Sequence, residues 1–109
     1  MKCKVYFSID AEQDLLEIYD YIKESGYPIN AKNLLSGLKK ACLSLSDNPD
    51  RGHIPKELDR IGVFEFREIN IKLYRIIYQV IASKVIIHCI LDGRREIQDI
   101  LKRRIIRAF

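Results

Sequence analysis

Two stretches in the first half of the chain space their apolar residues three and four positions apart, as an amphipathic helix does. Ser8 or Asp10 can cap the first helix, and Gly26 supplies its stop. Asn30 is the expected cap of the second. The apolar positions are Leu15, Ile18, Tyr19 and Ile22 in the first stretch, and Ala31, Leu34, Leu35, Leu38, Ala41, Cys42 and Leu45 in the second. Because only "GYPI" separates them, the two helices are predicted to form a hairpin.

The other apolar segments are typical of strands. The segment "CKVYF" predicts a short strand at 3–7, and three longer strands are predicted at 63–69, 73–81 and 85–91. The connections "NIK" and "ASK" are short enough to require antiparallel hairpins. Between the helices and these strands, the segment from "SDNPDRG" to about Gly62 is predicted to be a loop, because Pro and Gly interrupt it.

The middle strand of this meander is apolar on both faces. One face carries Tyr74, Ile76, Tyr78 and Val80, and the other carries Arg75, Ile77, Gln79 and Ile81. Such a sheet needs cover on both sides, and the helical hairpin can cover only one. The tail from about 95 to 107 is therefore predicted to form a covering helix with the stripe Ile97, Ile100, Leu101 and Ile105. The pattern predicts one α+β domain over residues 1–109.

Composition excludes several classes of protein. A chain of 109 residues that is 48% apolar is expected to fold as a single ordered domain. Cys3, Cys42 and Cys89 are odd in number and show no metal spacing, so they are expected to be reduced and buried, with no metal or cofactor bound. The segment "MKCKVYFSID" lacks the apolar core of a signal peptide, and no run is long enough to span a membrane. A cytoplasmic protein without a membrane partner is expected.

The net charge of +4 is unevenly distributed along the chain. Residues 1–60 hold 9 basic and 10 acidic side chains, whereas residues 61–109 hold 10 basic and 5 acidic ones. A basic C-terminal half suits an anionic partner such as RNA, DNA or an acidic protein, although a solvated basic face is the commoner explanation.

The ordered set "AEQDLLEIYDYI", "NPDRG", "EL", "FREI", "YRIIYQV" and "DGRRE" resembles the RelE/ParE superfamily of small bacterial toxins from type II toxin–antitoxin modules, over nearly the whole chain. The resemblance implies a β-α-α-β-β-β fold with a C-terminal helix. RelE-like toxins enter the ribosomal decoding site and cut messenger RNA, whereas ParE-like toxins are associated with poisoning DNA gyrase. It also implies growth inhibition, a link to plasmid stabilisation and silencing by a cognate antitoxin. Promoter DNA would be reached only through that antitoxin.

The resemblance also assigns candidate nuclease residues. RNA cleavage through the 2′-hydroxyl needs a base, an acid and cations that stabilise the phosphate charge. Arg75 and Arg95 stand where RelE-like nucleases place two arginines, and Glu68 and His88 are the proton carriers at hand. Two features depart from the nuclease pattern. The preceding strand offers "EFREI" instead of lysines, and an ungapped match puts Leu101 where the nucleases have a tyrosine.

The basic residues have alternative interpretations. The candidates for target or phosphate binding are Arg67, Arg75, Arg94 and Arg95, and those for antitoxin or target contact are Lys102, Arg103 and Arg107. Arg75 can instead pair with Glu68 or Glu65 across the hairpin, and Arg94 and Arg95 can form an exposed basic edge. His88 can be a hydrogen-bonded core histidine. The tail residues, with Arg104 among them, can be the solvated face of a helix.

Three functions remain open from the sequence. The favoured one is a non-catalytic toxin that binds a protein target, with DNA gyrase as that target. The alternative is a ribosome-dependent endoribonuclease. A degenerate member that acts only within its antitoxin complex is the third.

Overall fold

The main helices and strands follow one another in the order that the apolar pattern predicts. The computed structural model describes residues 2–95 and 97–105. Its strands are β1 (Lys4–Phe7), β2 (Phe66–Ile71), β3 (Tyr74–Ile81) and β4 (Lys84–Asp92). Its helices are α1 (Ile9–Glu24), α2 (Pro28–Ser44), α3 (Lys56–Asp59) and α4 (Ile97–Ile105), with a 3-10 turn at Pro49–Arg51. This order confirms the predicted α+β arrangement.

The four strands form one sheet in the order β1-β4-β3-β2. The antiparallel pairs β2–β3 and β3–β4 confirm the predicted meander. β1 runs parallel to β4, with Lys4 opposite Lys84 and Phe7 opposite Ile87. The β3–β4 register shifts after Ile77, which leaves His88 as the extra residue of a β-bulge in β4.

Several predicted boundaries are wrong. α2 begins at Pro28 rather than after Asn30, because proline is favoured at the first helical position, and Tyr27 takes the capping place without a side-chain bond. β2 begins at Phe66 rather than Val63, since the Val63 amide donates to the Leu58 carbonyl at the end of α3. The predicted loop also contains the 3-10 turn and α3. Ser8 does cap α1, because its Oγ accepts from the Ala11 amide at 3.0 Å.

The sheet is covered on both faces, as its apolar pattern requires. Between the sheet and the α1–α2 hairpin lies the first core, built around Leu15, Leu38, Leu45, Ile76, Tyr78 and Ile87. Between the other face and the helices α3 and α4 lies the second core, built from Leu58, Phe66, Ile77, Cys89, Leu91, Ile97, Ile100 and Leu101. α4 therefore closes a hydrophobic core.

The three cysteines are free thiols, with Cys42 and Cys89 buried and Cys3 partly buried. Burial raises the pKa of Cys42 to about 12 and that of Cys89 to about 11, so both remain protonated and unreactive at neutral pH. In the described part of the chain, no helix has the length and apolarity that a membrane crossing requires.

Candidate functional site

Arg75, the central candidate residue, lies in a cluster of ion pairs on the α4 side of the sheet. Its two terminal nitrogens donate to both carboxylate oxygens of Glu57 at 2.7 and 2.8 Å. Nη2 also donates to Glu68 Oε1 at 2.6 Å. The register explains the second contact, because Arg75 faces Asn70 and therefore lies diagonally across from Glu68 on the same sheet face. The Arg75 side chain is only 14% exposed.

Glu68 is held from several directions. The Asn70 amide donates to its Oε2 at 2.8 Å, and His53 Nε2 lies 3.6 Å from the same oxygen. The backbones of His53 and Glu68 exchange two hydrogen bonds, so His53 forms an isolated antiparallel bridge on the outer edge of β2. With a side chain only 5% exposed, Glu68 is an acceptor whose oxygens are already occupied.

The electrostatics of this cluster favour the charged forms of Glu57 and Arg75. The hydrogen bonds from Arg75 lower the pKa of Glu57 to about 2, and the same bonds raise the pKa of Arg75 above its ordinary value. Two carboxylates facing one guanidinium leave the cluster with a net negative charge. Such a cluster holds α3 on the sheet, and it gives an incoming phosphate no uncommitted cation.

Arg67, a candidate for phosphate or target binding, holds the "NPDRG" loop. Its Nη1 donates to the carbonyl oxygens of Asp50 at 3.3 Å and Gly52 at 2.9 Å. Tyr78 reaches the same loop from the first core, since its hydroxyl donates to Pro49 O at 2.6 Å and accepts from the Gly52 amide at 3.1 Å. A Cβ on Gly52 would lie 2.6 Å from this hydroxyl, so the close approach requires glycine there.

His88, a candidate proton carrier, is the bulged residue of β4 and contacts other partners. Its Nε2 lies 3.0 Å from Gln79 Oε1, and its ring meets Phe66 edge-on at 5.5 Å. Desolvation, assisted by nearby Arg104, lowers its pKa. The imidazole is therefore neutral at pH 7. This geometry is that of the hydrogen-bonded histidine that the sequence offered as an alternative to a base.

Arg94 and Arg95 follow β4 in an exposed turn. Arg94 pairs with Asp92 at 2.9 Å and thereby lowers the pKa of that carboxyl to about 2. The Arg95 amide donates to the Asp92 carbonyl at 3.0 Å, while its side chain is exposed. Neither Arg95 nor His88 forms a hydrogen bond or ion pair with the Arg75 cluster as far as the described residues extend. The predicted nuclease residues are therefore not joined into one catalytic group.

The C-terminal helix separates buried residues from basic ones. Leu101, at the position where the nucleases have a tyrosine, is 2% exposed and belongs to the second core. Lys102 and Arg103 are exposed on α4. Arg107 lies outside the described residues, so its predicted contact with an antitoxin or target stays a prediction.

One prediction about this helix is wrong. Arg104 does not belong to the solvated face, because its Nη1 and Nη2 donate to Asp14 Oδ2 and Oδ1, both at 2.8 Å. Nη1 also donates to the His88 carbonyl at 3.1 Å. Asp14, on α1, is buried. The sequence does contain a signal for this pair. Asp14 lies next to Leu15 on the buried stripe of α1, and a buried carboxylate requires a partner. The sequence prediction also misses Glu57, because α3 lies in the segment predicted to be a loop.

Comparison with known proteins supplies the family context. A family model described as the ParE toxin of the type II toxin-antitoxin system parDE matches residues 5–97. Among curated proteins, no sequence matches the chain. One similar solved structure is a chromosomal ParDE toxin–antitoxin system from P. aeruginosa, at 18% identity and a TM-score of 0.71, covering 84% of this chain and 96% of that one.

A second similar structure is the toxin–antitoxin complex RelBE2 from Mycobacterium tuberculosis. Its identity is 18% and its TM-score 0.62, and the match covers 84% of this chain and 92% of that one. At such low identity, both structures establish the shared fold.

Proposed function

Because the chain belongs to the ParE toxin family of type II toxin–antitoxin systems, we propose that it inhibits growth by binding a protein target, DNA gyrase, and does not cut messenger RNA. A cognate antitoxin silences it. The protein acts in the cytoplasm, where both partners are found, and stabilisation of a plasmid that carries the module is a consequence of this pairing.

The pairing of Arg75 with Glu57 and Glu68 carries this proposal. A ribonuclease needs a cation free to meet the scissile phosphate and a base free to take the 2′-hydroxyl proton. Here Arg75 donates hydrogen bonds to the carboxylates of Glu57 and Glu68 at 2.6–2.8 Å. Glu68, the candidate base, is therefore occupied by the same arginine. Opening the cluster would leave Glu68 buried without its partner, which costs about 3–5 kcal/mol.

Two further observations support a non-catalytic mechanism. Leu101 cannot donate or accept a proton, and it is buried in the second core, away from water. Tyr74 and Tyr78 pack with the first core, on the opposite side of the sheet from Arg75. No tyrosine of β3 can therefore replace the missing one.

The exposed basic residues are suited to a protein target. Arg95 and Lys102 extend into solvent from the β4–α4 turn and from α4, and Arg94 is exposed beside Asp92. Charges at the rim of an interface steer association and set specificity. We assign target contact to this basic edge, and binding by the antitoxin would cover it.

The test separates the two target classes in one preparation. Purified chain is added to a translating extract, where transcript ends are mapped, and to a gyrase supercoiling assay. The same protein bound to its antitoxin is the control. The expected result is inhibited supercoiling with intact transcripts, and the antitoxin should reverse the inhibition.

Two other outcomes would contradict the proposal. Prompt codon-phased cuts with unaffected gyrase would assign the chain to the endoribonucleases. Correctly folded protein that inhibits neither process, and does not slow growth when expressed alone, would assign it to degenerate members that act only within the antitoxin complex.

A further inference from the structure

A long groove runs beside α1 on the side of the molecule that carries the exposed basic residues. One part, of about 680 Å³, lies between α1 and α4. An adjoining part, of about 280 Å³, lies between α1 and the region where β3 begins and β4 ends. Asp14, Glu17 and Arg95 line both parts, so the two form one continuous α1–α4 groove.

The two walls of the α1–α4 groove carry opposite charges. Glu17 on α1 contributes a negative charge, and its carboxylate accepts one long hydrogen bond of 3.4 Å from Gln13. Arg95 and Lys102 contribute positive charges from the β4–α4 turn and from α4. The Asp14–Arg104 pair lies between the walls at 2.8 Å and joins them. This pair therefore links α1 to α4 within the groove.

One end of the groove is aromatic. Tyr21 is 74% exposed there, and Tyr74 lies beside it with Ile18 and Ile90. Burial and the nearby Asp92 carboxylate raise the pKa of Tyr74, so its hydroxyl stays protonated and can donate a hydrogen bond. An exposed tyrosine next to apolar side chains is a common anchor for a partner side chain.

These features select a class of occupant. A nucleic acid presents negative charge along its whole length, and the Glu17 wall would repel it. A polypeptide can carry acidic side chains on one side and basic ones on the other, with an apolar side chain at the aromatic end. We propose that the α1–α4 groove is the docking site of an antitoxin segment of this kind.

The antitoxin is favoured over the target because of what the occupant would cover. A segment in the groove contacts α1, β4 and α4, and so bridges elements that enclose both cores. It also covers Arg95 and Lys102, which are assigned above to target contact. A partner bound there would stabilise the toxin and block its target surface in one step. This inference rests on the proposed function.

The test uses the full-length toxin and the antitoxin encoded beside it. Three charge reversals probe the groove: Arg95→Glu, Lys102→Glu and Glu17→Lys. Two reversals at exposed positions away from it serve as controls, Lys40→Glu on α2 and Asp59→Lys on α3. Dissociation constants are measured by titration at low and high salt, and thermal melts verify folding. Each groove variant should weaken binding by about tenfold at low salt, with smaller losses at high salt, while the controls change it less than about twofold.

Glu17→Lys is the most informative variant. It should weaken binding of a polypeptide that carries both charges, whereas it should strengthen binding of a polyanion, for which a single-stranded RNA oligonucleotide is the probe. Tighter RNA binding by Glu17→Lys, with antitoxin affinity unchanged, would overturn the proposal in favour of a nucleic acid site. Wild-type affinity in all three groove variants would place the antitoxin elsewhere and leave the proposed function intact. Failure of the wild-type toxin to bind any adjacent product would instead contradict the proposed function itself.

Discussion

Arg104 and Asp14 lie 90 positions apart in the chain and form a two-bond ion pair at 2.8 Å. The same carboxylate accepts the Ile90 amide at 2.9 Å. Beyond Phe7, β1 no longer pairs with β4, so the edge of β4 after its bulge needs other partners for its backbone. Asp14 supplies an acceptor there, and Arg104 supplies a donor to the His88 carbonyl at 3.1 Å. One ion pair therefore completes the sheet edge and holds α4 in place.

Removing one member of this pair should be costly. Asp14→Ala leaves the Arg104 guanidinium without its counter-charge and the Ile90 amide without its acceptor. The free energy of unfolding should fall by about 3–5 kcal/mol, measured by urea denaturation. Lys102 is exposed on α4, the helix that carries Arg104. Lys102→Ala should change the free energy of unfolding by less than about 0.5 kcal/mol.

A double-mutant cycle strengthens this test. Arg104→Met in the Asp14→Asn background should recover part of the loss that Asp14→Asn alone causes, because the double variant leaves no unpaired buried charge. If the double variant instead loses the sum of the two single-variant losses, the pair contributes nothing beyond its separate side chains.

The Glu57–Arg75 pair should make stability depend on pH. The pKa of Glu57 is about 2 in the folded protein, below its ordinary value of 4.5. A carboxyl with a depressed folded pKa stabilises the fold at pH values above the ordinary one, and this stability is lost as the pH falls from about 4.5 toward 2. Glu57→Gln should therefore be less stable than wild type at pH 7 by about 1–3 kcal/mol, and the difference should shrink by pH 3. A pH-independent difference in melting temperature would contradict this role.

Arg75 and Arg95 should respond differently to alanine. Arg75→Ala leaves Glu68 buried with an unmatched charge, so unfolding should become easier by about 3–5 kcal/mol. Arg95→Ala should leave stability within about 0.5 kcal/mol and reduce growth inhibition, because its side chain is exposed on the proposed target surface. Melting curves and a plate growth assay measure both effects. If Arg75→Ala melts like the wild type but no longer inhibits growth, Arg75 binds phosphate or the target and does not stabilise the fold.

The Tyr78 hydroxyl should control the mobility of the "NPDRG" loop. Tyr78→Phe removes the bonds to Pro49 O and Gly52 N while keeping the ring in the first core. We expect a loss of about 1–3 kcal/mol and faster amide hydrogen exchange for residues 49–53. Exchange that speeds up equally across the sheet would point instead to a general loosening of the core.

Restoring the tyrosine of the nucleases at position 101 should not create a nuclease. Leu101→Tyr forces a larger, polar side chain into the second core, at a cost of about 1–3 kcal/mol. Because Arg75 would remain paired with Glu57 and Glu68, transcripts in the translating extract should stay intact. Codon-phased cleavage by this variant would show that the ion cluster opens on the ribosome.

The sequence predicts most of the fold because its signals are periodic. The alternation at Tyr74 to Val80 predicts a strand that is apolar on both faces, and the stripe from Ile97 to Leu101 predicts the helix that covers the second face. The Arg75–Glu68 contact could also be anticipated as one alternative, since the two residues lie on adjacent strands of a short hairpin. The strand register decides whether Arg75 pairs with Glu68 or Glu65. It places Asn70 opposite Arg75, so Glu68 is the diagonal neighbour of Arg75.

The remainder depends on contacts between distant residues. Nothing near Glu57 in the chain indicates that it meets Arg75, because α3 is a single turn within a loop-like sequence. The bulge at His88 and the parallel pairing of β1 with β4 are likewise set by packing and carry no local signal. Arg104 is predicted on a solvated helix face, and only the fold brings it to Asp14, beside the bulged edge of β4.

The parallel pairing of β1 with β4 also determines when the protein can fold. Lys4 is synthesised long before its partner Lys84. Contacts across such a separation close a long loop, and they form late and slowly. A nascent chain that ends before β4 has an unpaired β1, an open first core and no wall opposite α1. The cell therefore meets the folded toxin only after β4 has been synthesised.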